Sequence, residues 1–539
     1  MPFGRINKMT LSFYLCPMQR RIRTRFAPSP TGGLHIGGVR TALFNYLFAK
    51  PHGDFILRIE DTDQGRYVEG AEKYIIECLK WCGIHPDEST VKGGPYGPYR
   101  QSERKEIYKQ YAQKLIDSGN AYYAFDTPEE LAVMREKFRT ETNPNPQYGL
   151  QTRMQMKNSL TMSDAEVKDW LESGKPYVIR FKMPEGREVK WNDLIRGEVS
   201  FNTDVLDDKV LLKADGMPTY HLAVVTDDLL MEITHVLRGE EWLSSTPLHL
   251  LLWEAFGVNP EIIPQYGHLP LILGPQGKLS KRDGAKYGFP VYGMNWTEPD
   301  TGNVIEGFKE KGFLPEAFVN MLAMIGWNDG TGQEIFTMEE LVEKFTIERV
   351  HSGGAKFDYE KAKWFNHMWM QKVDERRLTE YLFEDYSQRV EKGTPLPENQ
   401  TYLIISENLA AYCEKVVKLI KNRCNLLTDL WEEGKIFFVQ PSGYDTAAVK
   451  PKWTTEKEKF FKEYIRALEK LEGVDAAKLE EEFKALAAAH SIKPGELQLP
   501  MRIMLVGGKF GPPVFEIAAT LGIKETIKRI EQALPEFAI

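Results

Sequence analysis

The sequence predicts an α/β nucleotide-binding domain interrupted by an insertion and followed by an all-helical C-terminal domain. Three observations predict it: a strand, glycine turn, helix, strand run near the start; strand-type segments that resume only at Val210; and a helical, charged texture from Lys361 onward. With 539 residues the chain exceeds the roughly 250–300 at which one hydrophobic core stops growing, so several domains are required.

Residues Met1 to Pro17 read as an extension before a compact start at Met18. Arg20, Arg21, Arg23 and Arg25, with no acidic residue before Asp54, also fit a transit peptide, but Pro17 breaks the only apolar stretch there. A strand from Arg23 to Ala27 runs into the turn Pro28 to Gly33. Val39, Ala42, Leu43, Tyr46 and Leu47 then recur at helical spacing behind Gly37 and Gly38. In the next strand, Asp54 to Ile59, Phe55, Leu57 and Ile59 share one face while Ile56, Arg58 and Glu60 share the other.

A helical stretch from Ser102 to Ile116 leads into a turn-rich region around Asn143 to Pro146 and a strand ending at Phe181, which together read as the insertion. Strands resume at Val210 to Leu212 and Ile233 to Leu237. A helix follows with Thr246 as N-cap, Pro247 at its first position and Gly257 after its end. His268 to Leu273 reads as a short strand and Gly274 to Gly284 as a loop. Glu407 to Lys421 and Thr455 to Leu471 are helices of the last domain.

Composition narrows the class. With 42% hydrophobic and 27% charged residues the chain reads as soluble, and no apolar run nears the ~20 residues of a membrane span. Five scattered cysteines suit a reducing cytoplasm rather than a disulfide framework. Cys78 and Cys82, one helical turn apart, read as a buried helix face rather than half of a metal site. The formal charge of −8 excludes uniform positive coating of nucleic acid, so any RNA partner needs local basic patches.

Two segments carry the chemistry. The turn from Pro28 to Gly38 places a helix N-terminus where its free N–H groups attract anions, and His35 there can donate to phosphate oxygens. The loop Lys278-Leu279-Ser280-Lys281-Arg282 sets two lysines where they can clamp a departing pyrophosphate. Either alone is weak, since a basic pentapeptide is usually a solvated loop and a lone His usually structural. In this order and separation the pair resembles the two signatures of class I aminoacyl-tRNA synthetases.

The runs Arg23-Thr24-Arg25-Phe26-Ala27-Pro28-Ser29-Pro30-Thr31-Gly32, Leu57-Arg58-Ile59-Glu60-Asp61-Thr62-Asp63, Tyr99-Arg100-Gln101-Ser102-Glu103-Arg104 and Arg238-Gly239-Glu240-Glu241-Trp242 resemble glutamyl-tRNA synthetases of the bacterial type. The likeness covers nearly all of the chain after Met18. It implies a class I synthetase Rossmann-like domain split by an insertion, with an all-helical anticodon-binding domain behind it. The domains implied are 18–102 and 220–290 for the catalytic halves, 103–219 for the insertion that holds the tRNA acceptor end, 291–360 for a stem-contact connector and 361–539 for the anticodon domain.

The resemblance assigns Arg25, Ala27, Ser29, Glu60, Tyr220 and Arg238 to glutamate, and His35, Gly37, Glu241, Lys278, Ser280 and Lys281 to ATP, with His35, Lys278 and Lys281 catalytic. Charge complementarity agrees: glutamate carries two carboxylates and one ammonium, matching Arg25 and Arg238 against Glu60 at strand ends. For each of these the plain alternative is a surface ion pair. Two departures stand out. Gly38 sits where many class I relatives have a second His, and Val224 where glutamate ligases often carry Asn. Tyr122-Tyr123-Ala124-Phe125-Asp126 lacks the thiols with which some relatives bind zinc, so no zinc and no other protein-bound metal is expected. The implied partners are tRNA(Glu), L-glutamate and ATP with Mg2+, in a cytoplasmic monomer without membrane contact. Glutaminyl-tRNA synthetase, a short paralogue lacking the anticodon domain, and an inactive tRNA-binding relative stay open as alternatives.

Overall fold

The computed structural model describes residues 20–393, 408–471 and 475–537, so the expected extension 1–17 lies outside the described residues, as does Glu407. The chain divides into two compact units, Met1–Ile305 with Leu322–Phe357 and Glu306–Met321 with Asp358–Ile539, of which the described residues are the parts discussed below.

In the first unit, strand β1 (Ile22–Phe26) passes through the glycine turn into helix α1 (Ile36–Ala49) and on to β2 (Gly53–Leu57), which pairs parallel to β1 with Arg25 opposite Ile56. Hydrogen bonds continue past the strand ends, from Arg58 N–H to the Phe26 carbonyl and from Glu60 N–H to that of Pro28, each 3.0 Å. Arg25 and Glu60 thereby reach the same carboxyl edge. Phe55, Ile56 and Leu57 are all buried, and so are Arg58 and Glu60, so the two-faced alternation does not separate a wet side from a dry one. Helix α2 (Ala71–Trp81) buries Cys78, and Cys82 is buried just past its end, as expected for a packing face.

Helix α3 (Lys105–Asp117) opens the insertion. Its antiparallel sheet has the order β3 (Ala121–Ala124), β4 (Val178–Phe181) and β7 (Val210–Leu212), while β5 (Glu188–Asp193) and β6 (Gly197–Asn202) form a separate hairpin. Helices α4 (Pro128–Lys137) and α5 (Asp164–Glu172) each start on a capping box, Thr127 with Glu130 and Ser163 with Glu166.

The α/β pattern then resumes with α6 (Tyr220–Leu230), β8 (His235–Gly239), α7 (Thr246–Ala255) and β9 (Gln265–Leu269), with β8 and β9 parallel. The two parallel pairs lie side by side, because Thr234 N–H donates to the Arg23 carbonyl at 2.9 Å. Helix α1 fastens both: Thr24 Oγ1 donates to the Asn45 carbonyl and Asn45 Nδ2 to that of Leu237, each at 2.9 Å.

Four local expectations are corrected. Val210 to Leu212, expected to resume the nucleotide-binding domain, is the edge strand β7 of the insertion's antiparallel sheet, paired to β4. Ser245 rather than Thr246 precedes α7, because a 3-10 turn over Glu240–Ser245 feeds straight into the helix and makes Thr246 its first residue. The strand expected from His268 to Leu273 breaks at Pro270, which has no N–H for a ladder, into β9 and β10 (Ile272–Gly274). The expected loop from Gly274 instead forms a tight hairpin with β11 (Gly277–Lys278) and the opening of α8 (Lys281–Tyr287).

The two halves of the α/β pattern are locked by buried charges on α6. Asp228 accepts from Arg58 Nη1 at 2.8 Å and Arg25 Nε at 3.1 Å, and Arg58 Nη2 also donates to Glu60 at 3.1 Å. Asp227 accepts from Arg104 Nε and Gln101 Nε2, both at 2.8 Å, and from the Tyr108 hydroxyl at 2.9 Å. Burial alone would raise the Asp228 pKa, but Arg25 and Arg58 outweigh it and hold the carboxyl below its ordinary range.

The second unit is helical. Phe460, Phe461, Tyr464, Phe483 and Phe515 form its aromatic core. The buried Arg529 donates to the carbonyls of Ile436, Val439 and Leu505 where helical turns end. No helix among the described residues is long and apolar enough to cross a membrane.

Removing one partner from a buried charge cluster costs ~3–5 kcal/mol. Asp227→Ala is therefore expected to lower unfolding free energy in urea by about that amount, and a loss under ~1 kcal/mol would contradict the locking role.

Candidate active site

A cavity of about 620 Å³ opens where the strand ends of both catalytic halves meet, and Arg25, Ala27, Ser29, Glu60, Tyr220 and Arg238 all line it. Gly37 and Glu241 line it too. The six positions assigned to glutamate thus share one hollow, although they span more than 200 residues of sequence.

The two buried arginines of the cavity differ in kind. Arg25 gives its Nε to Asp228, so its charge is compensated within the protein. Arg238 is 5% exposed, and among the described residues no carboxylate lies within 4 Å of it. All of its N–H bonds go to neutral acceptors. Nε donates to His268 Nε2 at 3.1 Å, Nη1 to the Tyr220 hydroxyl at 3.0 Å and His249 Nδ1 at 3.3 Å, and Nη2 to the Trp242 carbonyl at 3.1 Å and Thr246 Oγ1 at 2.8 Å. Of these acceptors Tyr220 and Trp242 line the cavity, their rings 4.3 Å apart, and the other three stand behind the guanidinium.

Glu60 is buried opposite. Desolvation pushes its pKa up despite Arg58 and Arg25, so the carboxylate stands to gain from a further positive charge. Burial likewise raises the Tyr220 pKa and keeps the phenol neutral. His249 falls well below the usual histidine range and His221, at 3.1 Å from it, falls to about 4, both chiefly through burial, so neither adds charge beside Arg238 at neutral pH. Val224 is buried in the apolar core of α6 and α7 rather than in the cavity wall, which accounts for its apolar side chain.

Of the residues expected to bind ATP, Gly37 and Glu241 line the cavity, whereas His35, Lys278 and Ser280 are not among its lining residues. His35 is the N-cap of α1, and its Nδ1 accepts from Gly37 N–H at 3.2 Å, which leaves the ring proton on Nε2. The glycines of this turn serve packing as well as approach. A Cβ on Gly33 would meet the Trp296 and Tyr292 rings at 2.8 and 2.9 Å, whereas one on Gly37 would meet only His35, at 3.5 Å. Lys278 is exposed and lies 3.8 Å from Glu241, which brings the basic loop to the cavity edge. Ser280 donates through N–H and hydroxyl to Asp283, and these bonds, ahead of a smaller contribution from nearby His35, depress the Asp283 pKa. Lys281 opens α8, but its side chain lies outside the described residues.

Sequence reasoning missed Asp227, Asp228, Arg58 and Arg104. One signal was present: adjacent acids in the C-terminal half of an otherwise apolar helix oppose the helix dipole and need buried cations.

Comparison with known proteins places this geometry. The family described as tRNA synthetases class I (E and Q), catalytic domain, matches residues 21–364, and an anticodon binding domain matches 377–534. A glutamate–tRNA ligase of Amoebophilus asiaticus is 48% identical over 96% of this chain and 98% of its own length. One of Christiangramia forsetii is 50% identical over 96% and 99%. The crystal structure of a glutamate tRNA ligase from Elizabethkingia meningosepticum in complex with its amino acid superposes with a TM-score of 0.88 at 45% identity, covering 96% of this chain and 100% of that one. The chain belongs to the glutamate–tRNA ligase family of class I aminoacyl-tRNA synthetases, with a catalytic domain followed by a helical anticodon-binding domain.

Proposed function

We propose that the cavity binds L-glutamate with its side-chain carboxylate against Arg238, its ammonium against Glu60 and its α-carboxylate near Arg25, and that Mg·ATP lies along the turn from Ser29 to Gly37. The observation that carries this reading is the buried guanidinium of Arg238, with no carboxylate within 4 Å among the described residues. A substrate carboxylate would take over the N–H bonds now made to Tyr220 and Trp242, exchanging neutral acceptors for a charged one.

The chemistry needs no side-chain nucleophile. An oxygen of the glutamate α-carboxylate attacks the α-phosphorus of ATP, that P–O bond forms, and the bond to pyrophosphate breaks. Glutamyl-adenylate results. The 2′-hydroxyl of the terminal adenosine of tRNA(Glu) then attacks the acyl carbon, AMP leaves, and the hydroxyl proton passes to solvent. His35, Lys278 and Lys281 stabilise charge on the transferring and leaving phosphates, Glu241 and Ser280 hold the nucleotide side, and Ala27 and Ser29 shape the amino-acid side. The insertion receives the acceptor end.

Replacing Arg238 with Gln is expected to lower glutamate-dependent ATP–pyrophosphate exchange, measured with tRNA present, by about 10- to 150-fold, the equivalent of ~1.5–3 kcal/mol, and to narrow the preference over glutamine. An unchanged ratio would return Arg238 to a structural role.

Lys281→Ala should reduce kcat for adenylation more than it raises KM for glutamate, because its contact strengthens as pyrophosphate departs. Equal activity would remove it from the mechanism.

Metal analysis of the purified protein is expected to find no stoichiometric zinc. In the insertion the Tyr122 hydroxyl is committed to Asp208 at 2.6 Å, and no cysteine stands nearby. One tightly held zinc per chain would contradict this.

A further inference from the structure

Arg238 is held from behind by a buried chain that begins in the insertion. Asp193 ends β5, and its Oδ1 accepts from Ile195 N–H at 3.1 Å and Arg196 N–H at 3.2 Å, closing the hairpin turn before Gly197. The same oxygen accepts from His268 backbone N–H at 3.2 Å, and Leu194 N–H donates to the Tyr266 carbonyl at 2.8 Å, so the turn is bound to β9. The other oxygen, Oδ2, lies 2.5 Å from His268 Nδ1.

A carboxylate only accepts, so His268 carries its proton on Nδ1 and presents a lone pair at Nε2. That lone pair faces Arg238 Nε at 3.1 Å and Thr246 Oγ1 at 3.2 Å. His268 and Arg238 are register partners in β9 and β8, which sets the two side chains next to each other. Asp193, His268, Thr246 and Arg238 are all buried. Burial keeps the imidazole pKa below its ordinary value despite Asp193, consistent with a neutral ring of fixed tautomer.

We propose that Asp193 and His268 are positioning residues for amino-acid selection: Asp193 fixes the tautomer of His268, His268 Nε2 fixes Arg238 Nε, and the guanidinium is thereby turned with its terminal nitrogens toward the cavity. This rests on the assignment of Arg238 as receptor of the side-chain carboxylate. With the opposite tautomer an N–H of the ring would meet an N–H of the guanidinium, and Arg238 would have to turn away.

The test is Asp193→Asn, which keeps the volume and the turn-closing oxygen but offers His268 an N–H donor in place of Oδ2. ATP–pyrophosphate exchange with tRNA present should show KM for glutamate raised by about tenfold or more, KM for ATP unchanged within about twofold, and a narrowed ratio of glutamate to glutamine activation. Combining it with Arg238→Gln should change that ratio no further than Arg238→Gln alone. A companion pair separates the two bonds of the ring. His268→Asn keeps a donor for Asp193 and loses the acceptor for Arg238, and His268→Gln keeps an acceptor near Nε2, so the Gln variant should retain more of the ratio.

A lower melting temperature for Asp193→Asn with wild-type KM and ratio would overturn the proposal and leave the hairpin a purely structural device. If Asp193→Asn does not fold, wild-type ratios in both His268 variants overturn it instead. An unchanged ratio in Arg238→Gln itself would be a different failure, that of the underlying assignment, and the positioning role would fall with it.

Discussion

The adjacent acids Asp227 and Asp228 are the constraint on which the catalytic fold depends. They sit near the C-terminal end of α6, where the helix dipole disfavours negative charge, and both are buried. Arg25 and Arg58 come to Asp228 from the first half of the α/β domain, while Gln101 from the end of that half and Arg104 and Tyr108 from the start of the insertion come to Asp227. A buried cluster of this kind gives little net stability over an apolar core, yet it is costly to leave half-made. Its effect is to fix register. Two halves separated by the whole insertion meet in one arrangement, because any other strands a carboxylate or a guanidinium without its counter-charge.

That constraint also explains which parts of the site could be read from the sequence. The strand, turn and helix from Arg23 to Leu47 were legible because period and glycine punctuation are local. The sharing of one cavity by Arg25, Glu60 and Arg238 was legible through the family resemblance and agrees with their positions at strand ends. Their partners were not: nothing local says that Arg25 gives one edge to Asp228 while Arg238 gives all of its N–H groups to neutral acceptors. The errors were of the same origin. Thr246 has the chemistry of a cap, but the preceding 3-10 turn places it one residue inside the helix, where its hydroxyl serves Arg238 instead.

Fixed and exposed groups divide the work of the site. At the proposed amino-acid end the charged groups Arg25, Glu60 and Arg238 are buried, so their positions are set before substrate arrives, while Ala27 and Tyr220 are half-buried and Ser29 is exposed. The basic segment is different, with Lys278 more than half exposed and tied only at 3.8 Å to Glu241. In the role proposed for it, following a departing pyrophosphate, such a charge gains from looseness, since its strongest contact belongs to a state that the resting protein does not contain.

In the proposed binding mode, selection between glutamate and glutamine follows from what the guanidinium must give up. The acceptors at the cavity edge of Arg238 are a phenol oxygen and a peptide carbonyl, both neutral, whereas a carboxylate would pair the charged guanidinium with an ionised acceptor and add ion-pair attraction to the hydrogen bonds. A carboxylate repays the exchange at both terminal nitrogens. An amide offers a single neutral oxygen, so it gains nothing over the acceptors it displaces, and it turns an NH2 group toward donors that cannot accept it. The same reasoning requires that the guanidinium not rotate to suit the amide, and that is the contribution of the acceptors behind it. His268, His249 and Thr246 define the plane in which the front nitrogens must be met. On that assignment of Arg238, discrimination resides as much in the neutral, buried wall behind it as in its charge.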